Sequence, residues 1–194
     1  MLKFLKYTLV VIIILTIIAG FIGSRKFNNY LFAERTKLMT YTSESLPIAF
    51  EWANDSIGDH YETQVAMIIP LKTESLPHKF YMQFDTGSPY TYIYENDLNS
   101  LIDLGLDLSI VAQGEARYVS EMAFELGGNK INASMVKILE NYGSGFKEND
   151  TIGRIKIGTI GSDIMENRVT TIDFQNQQIQ TYQQRPNWMA AMSG

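Results

Sequence analysis

An alternating apolar run, Phe80-Tyr81-Met82-Gln83-Phe84, breaks off at Asp85-Thr86-Gly87-Ser88. Alternation of this kind predicts a strand with one face in a core. A carboxylate at the end of such a strand stands in low-dielectric surroundings, where its charged form is disfavoured. Gly87 permits a backbone turn that a side chain would block. Thr86 and Ser88 add hydroxyls able to bond the backbone or the acid. The segment therefore predicts one rigidly placed acid ringed with donors.

The residues around it read as further short strands. Tyr61–Leu71 is one strand, joined to Phe80–Phe84 by Lys72-Thr73-Glu74-Ser75. Tyr90–Tyr94 is β-branched and aromatic. Asn96 is expected to cap a short helix over Asp97–Leu104, with Leu98, Leu101 and Ile102 on its apolar face. Ile110–Phe124 holds two β-prone pieces around Gln113-Gly114-Glu115. Glu125–Lys130 turns into a strand over Ile131–Leu139, and the polar stretch Asn141–Asp150 is a loop. Ile152–Ile157 alternates again. Several short strands with a turn about every ten residues predict an all-β sandwich or barrel.

Composition narrows the chemistry. The chain has 194 residues, 45% hydrophobic and 19% charged, with a net charge of −5. That profile is globular, and one folded domain is the natural expectation. Mild acidity argues against a nucleic-acid partner, which needs a basic face. Without cysteine there is no disulfide, no thiolate nucleophile and no zinc–thiolate site. His60 and His78, the only histidines, each flank a predicted strand and read as surface or hairpin residues. No metal and no cofactor are expected.

The Asp85-Thr86-Gly87-Ser88 stretch resembles the active-site loop of the aspartic proteases, pepsin-like and retropepsin-like alike. Two neighbouring regions extend the resemblance. His60–Pro70 with Leu76–Phe80 looks like the first hairpin of a pepsin lobe. Thr159-Ile160-Gly161-Ser162-Asp163-Ile164-Met165, followed by Thr171-Ile172-Asp173-Phe174, looks like its closing segment. The resemblance covers roughly His60 to Tyr182. It implies a single-lobe, retropepsin-like acid-protease barrel, all-β with one or two short helices. It implies Asp85 as the catalytic acid, Thr86, Gly87 and Ser88 as its loop, and Thr159, Ile160 and Gly161 as the element backing that loop. Position 159 departs from the aliphatic residue the pattern favours, though the threonine methyl can still pack. Asp163 and Asp173 match positions that carry structure. Such enzymes also close a hairpin over the substrate. Ile110–Met122, with Gly114 near its tip and Tyr118 within reach, is the candidate; an ordinary surface hairpin fits these residues equally well.

Hydrolysis by this chemistry needs two carboxylates sharing one proton, because two close acids cannot both ionise; the aspartic proteases are themselves the standard instance of that rule. Only one Asp-Thr-Gly occurs in the chain. Asp55, Asp59, Asp97, Asp103, Asp107 and Asp150 fall in predicted loops or on a polar helix face, where a solvated carboxylate is expected. The economical solution is a homodimer with Asp85 from each chain, facing across a twofold axis. The expected activity is endopeptidase cleavage of a polypeptide substrate. The alternative is a catalytically idle module on the same fold, holding extended peptide as an added strand.

The N-terminus adds a membrane element. No charge stands between Lys6 and Arg25, a gap of 18 residues, within the ~17–25 residues needed to cross a bilayer. A cleaved signal segment would need small residues before its cut. Ile18 and Phe21 occupy those positions for cuts after Gly20 and Gly23, so a retained anchor is favoured. The expected organisation is a transmembrane anchor over 1–23, a linker over 24–45, the β domain over 46–184 and a tail over 185–194. Basic residues flank the anchor on both sides, so charge alone barely orients it. A short tail ahead of one anchor usually stays inside, which places the domain on the extracytoplasmic side as a single-pass membrane protein. Leu46–Trp52 is expected to open the domain as an extended arm.

Overall fold

The structure, a computed structural model, describes residues 16–24, 39–41, 46–147, 150 and 153–190. The chain divides into two compact units, Met1–Thr36 and Lys37–Gly194. In the first, residues 16–24 are helical and exposed, including Ile17, Ile18, Phe21 and Ile22. Among the described residues no helix is long and apolar enough to cross a membrane. The greater part of the expected anchor over 1–23, and most of the linker over 24–45, lie outside the described residues.

The second unit is built of strands. β1 is Met39–Tyr41, β2 Ile48–Ala49, β3 Glu51–Ile57, β4 His60–Lys72, β5 Phe80–Phe84 and β6 Tyr92–Tyr94. Helix α1 spans Glu95–Asp103. β7 Ser109–Gln113, β8 Ala116–Leu126, β9 Asn129–Leu139 and β10 Ile155–Ile160 follow. A 3-10 turn at Ser162–Met165 leads to β11 Val169–Asp173, β12 Gln178–Tyr182 and a short helix α2, Asn187–Ala190. The expected all-β architecture is what the chain adopts.

Six strands close on themselves in the order β4-β5-β10-β6-β9-β8, and β8 returns to β4 through Leu71 opposite Leu126. β10 is threaded between the two strands that flank the Asp85 loop. It runs parallel to β5, with Ile160 opposite Phe84, and antiparallel to β6, with Thr159 opposite Tyr92. β1 lies on β9, β3 on β4 and β7 on β8. β11, β12 and β2 form a separate three-stranded sheet.

The core is the inside of this ring. Phe80, Met82 and Phe84 of β5 meet Ile93, Val119, Leu126, Ile138, Ile157 and Ile160, all nearly or fully buried. Burying a side chain of this size stabilises by roughly 1.5–3 kcal/mol. Leu98 and Leu101 of α1 pack into the same cluster.

Four local expectations change. α1 begins at Glu95, so Asn96 lies in its first turn and caps nothing; its side chain donates instead to the Gly143 carbonyl at 2.8 Å. The apolar face is Leu98 and Leu101, while Ile102 is exposed. Asp97, expected in solvent, is 1% exposed. It shares the buried face because it stands one residue from Leu98 and four from Leu101, and the Tyr142–Phe146 loop lies over it. A Cβ on Gly143 would overlap its carboxylate. The predicted strand over Ile152–Ile157 is realised as Ile155–Ile160, which carries Thr159 and Ile160 inside the strand.

Candidate active site

β5 delivers Asp85 to the end of the barrel, and the chain turns there. The Asp85 N–H donates to the Ile160 carbonyl at 2.9 Å, one step past the last Phe84–Ile160 pair of β5 with β10. The Ser88 N–H donates to the Asp85 carbonyl at 3.1 Å, closing the turn. The Ser162 N–H donates to the Ser88 carbonyl at 2.8 Å. The loop is thus clasped at both ends by the C-terminus of β10 and the residues after it. Gly161 makes the close approach possible: a Cβ there would overlap the Tyr90 carbonyl and crowd that of Ser88. Gly158 serves β10 likewise one turn of the pleat earlier, where a Cβ would meet the Tyr92 carbonyl and the Met82 methyl.

The acid itself is half-buried, with Thr86 and Gly87 exposed beside it. Its Oδ1 accepts the Gly87 N–H at 2.9 Å. Its Oδ2 has no protein donor among the described residues. The Ser88 hydroxyl is turned inward, donating to the Tyr90 carbonyl at 2.7 Å, and so braces the loop away from the acid.

A second, buried carboxylate holds the support. Asp163 accepts the Thr91 N–H at 2.7 Å and the Thr91 hydroxyl at 2.8 Å, and the same hydroxyl accepts the Gly161 N–H at 3.1 Å. Burial pushes the Asp163 carboxyl above the usual carboxylate range, and the two Thr91 bonds pull against that rise. With both oxygens committed, Asp163 is a strut between the 3-10 turn and the strand leaving the acid loop. Its partner Thr91 is not visible in sequence, since 72 positions separate the two. Thr159 departs from aliphatic packing: its hydroxyl pairs with the Tyr94 hydroxyl at 2.9 Å.

The candidate residues thus fall in two groups. Asp85, Thr86, Gly87 and Ser88 are brought together with Ile160 and Gly161, and Thr159 adjoins them through Tyr94. Gly114 and Tyr118 belong to the β7–β8 hairpin. Gly114, at φ 61°, opens the two-residue turn between Gln113 and Ala116, with open space around it. Tyr118 is half-buried, opposite Val111 on one side and Lys137 on the other. Among the described residues no three His, Asp or Glu side chains gather as a metal site.

Comparison with known proteins gives little beyond outline. No protein-family model matches the chain, and no curated protein does. Among solved structures it is similar to a retropepsin-like aspartic protease from Rickettsia conorii, at 16% identity and a TM-score of 0.41, over 74% of this chain and 95% of that one.

Proposed function

We propose that the chain is a membrane-anchored aspartic endopeptidase whose catalytic dyad is Asp85 from each of two copies. The observation that carries this is the state of Asp85. A backbone clasp fixes the residue, one oxygen is held by the Gly87 N–H, and the other has no protein donor among the described residues. Of the two buried acids, Asp163 is committed to Thr91, and Asp97 lies beneath the Tyr142–Phe146 loop. A partner acid from a second chain is therefore the economical source of the shared proton.

In this reading the ionised member of the pair takes a proton from water as the hydroxyl adds to the peptide carbonyl carbon. The protonated member hydrogen-bonds the carbonyl oxygen. Collapse breaks the C–N bond, and the leaving nitrogen receives the proton. Gly114 and Tyr118 close over the bound chain as a flap. Thr159, Ile160 and Gly161 hold the loop in place. Residues 1–23 anchor the protein with its domain on the extracytoplasmic side; the uncharged stretch and the exposed apolar side chains of helical residues 16–24 favour this.

The test is peptide cleavage by wild type and Asp85→Asn across acid to neutral pH. Wild type cleaves and the variant falls to background. A cleaving Asp85→Asn protein removes the catalytic assignment. A wild type that binds peptide without cleaving it leaves the idle peptide-holding module instead.

A further inference from the structure

β4 stands between β3 and β5, but the two partners end at different places. Pairing with β5 stops at Met67 opposite Phe84. Pairing with β3 continues to His60 opposite Ile57. From His60 to Ala66, β4 therefore has a strand on one side only, and its other edge is open among the described residues. Seven regular strand residues would extend about 23 Å; the irregularity at Thr63–Val65 shortens this lane. β5 does not fill this lane, because the chain turns at Asp85, whose carbonyl accepts the Ser88 N–H. The open lane thus continues the line of β5 past Phe84, with Asp85 at its foot.

An open edge normally carries a device that blunts it, such as proline, lysine or an inward charge. His60-Tyr61-Glu62-Thr63-Gln64-Val65 has no proline and no lysine; its one interruption is a bulge, where Thr63–Val65 stand opposite Asn54 alone. All six side chains are exposed, Tyr61 by 58% and Val65 by 45%. Strand alternation puts Tyr61, Thr63 and Val65 on one face. Charge selects what pairs there. The ribbon from Asn54 to Val65 carries Asp55, Asp59 and Glu62, the last in contact with His60 at 2.7 Å, and no Lys or Arg; Arg154 and Lys156 line a cavity with Val65 and Ala66, so the acidic part is the end of the hairpin away from them. A second copy of this ribbon would set like charges together, whereas a basic chain would be drawn to it.

We propose that the open edge of β4, His60 to Ala66, takes a Lys- or Arg-bearing flank of the polypeptide substrate as an added β-strand beside the Asp85 loop. This rests on Asp85 being the catalytic acid. Main-chain hydrogen bonds along the edge supply affinity, and the acidic ribbon supplies the preference for basic sequence. The site thereby reads residues remote from the scissile bond.

The experiment uses full-length Asp85→Asn protein in detergent, which holds peptide without turning it over. The probes are a labelled peptide alternating valine with lysine and its counterpart with glutamate for lysine. Fluorescence anisotropy should show the lysine peptide binding at least about tenfold more tightly, a preference that weakens with salt. Amide exchange should slow across residues 60–66 when it binds. The double variant Asp59→Lys with Glu62→Lys, both on exposed side chains, should reverse the preference and keep the wild-type melting temperature. Equal binding of the two peptides, an unchanged preference in the double variant, or binding without protection of 60–66 overturns the proposal. Cleavage by wild type separates the two ideas. Hydrolysis that ignores flanking charge sinks the edge alone. Edge binding with no hydrolysis of any peptide by wild type sinks the catalytic reading alone.

Discussion

Two acids in one chain respond to their surroundings in opposite ways. Asp85 keeps an oxygen without a protein donor among the described residues, and in the proposed dimer it would lie against its own copy. Two like charges close together in a poorly solvated site are costly. Asp85→Asn should therefore lose turnover yet melt no lower than wild type. Scanning calorimetry beside the cleavage assay reads this; a destabilised but active variant would make Asp85 a turn residue, whose lost acceptor costs about 0.5–2 kcal/mol. Asp97 is buried under the Tyr142–Phe146 loop, and its Oδ2 lacks a partner among the described residues. Burial pushes its carboxyl up to about 6, against the pull of the Gly145 N–H and of Lys156. The folded chain thus binds this proton more tightly than the unfolded chain does. Its contribution to stability is complete below the ordinary aspartate range and lost as pH rises through about 6. Asp97→Asn should remove that loss and raise stability at pH 8 by an amount on the order of 2 kcal/mol. Denaturant melts at acid and alkaline pH compare the two chains; equal pH slopes would refute it.

Period-2 alternation locates the strands, but two of them change phase midway. In β8 the inward residues are Val119, then Met122, Phe124 and Leu126; in β9 they are Asn129, Ile131 and Ala133, then Val136 and Ile138. The switch falls in the same place on both strands, between the pairs Val119–Val136 and Met122–Ala133. Glu121 takes a left-handed backbone there, φ 57°. One such residue turns the following side chains to the other face, so the ribbon can bend and remain in the core. β10 depends on its glycines in another way. A Cβ at Gly161 would overlap the Tyr90 carbonyl and press on that of Ser88, and both are backbone atoms that cannot swing aside. Gly161→Ala should cost about 1–3 kcal/mol and loosen the acid loop. Thermal melting and amide exchange at Asp85 and Ser88 measure the two effects; a neutral substitution would show that the clasp is more pliable than its geometry suggests.

At the scale of the whole molecule, one acid loop per chain ties activity to association. A tetrahedral-intermediate mimic binds the proposed dimer and not the monomer, so it should tighten association, by about 2.7 kcal/mol at a hundredfold excess over its Kd. Sedimentation of full-length protein in detergent, with and without inhibitor, reads the shift. Specific activity independent of protein concentration, from a species that sediments as a monomer, would require a second catalytic acid within one chain. The proposed anchor makes a separate prediction: full-length protein should stay with membranes through a carbonate wash. Recovery of a soluble form lacking the apolar segment would make that segment a secretion signal.

Period-2 alternation, the Asp85-Thr86-Gly87 turn and the run of short strands determined the all-β class and singled out one acid. These are local properties, set by how neighbouring residues face along a strand and by the backbone freedom of glycine. What surrounds that acid was decided elsewhere. The Ile160 carbonyl that takes the Asp85 N–H lies 75 positions along the chain, and Asp163 reaches Thr91 across 72. Asp97 reads as a solvated helix residue until the Tyr142–Phe146 loop covers it. Ring closure through Leu71 and Leu126, and the insertion of β10 between β5 and β6, settle which carbonyl meets which amide and which carboxylate loses its water. Desolvation and long-range pairing depend on atoms distant in sequence and adjacent in space, so only the tertiary structure could assign them.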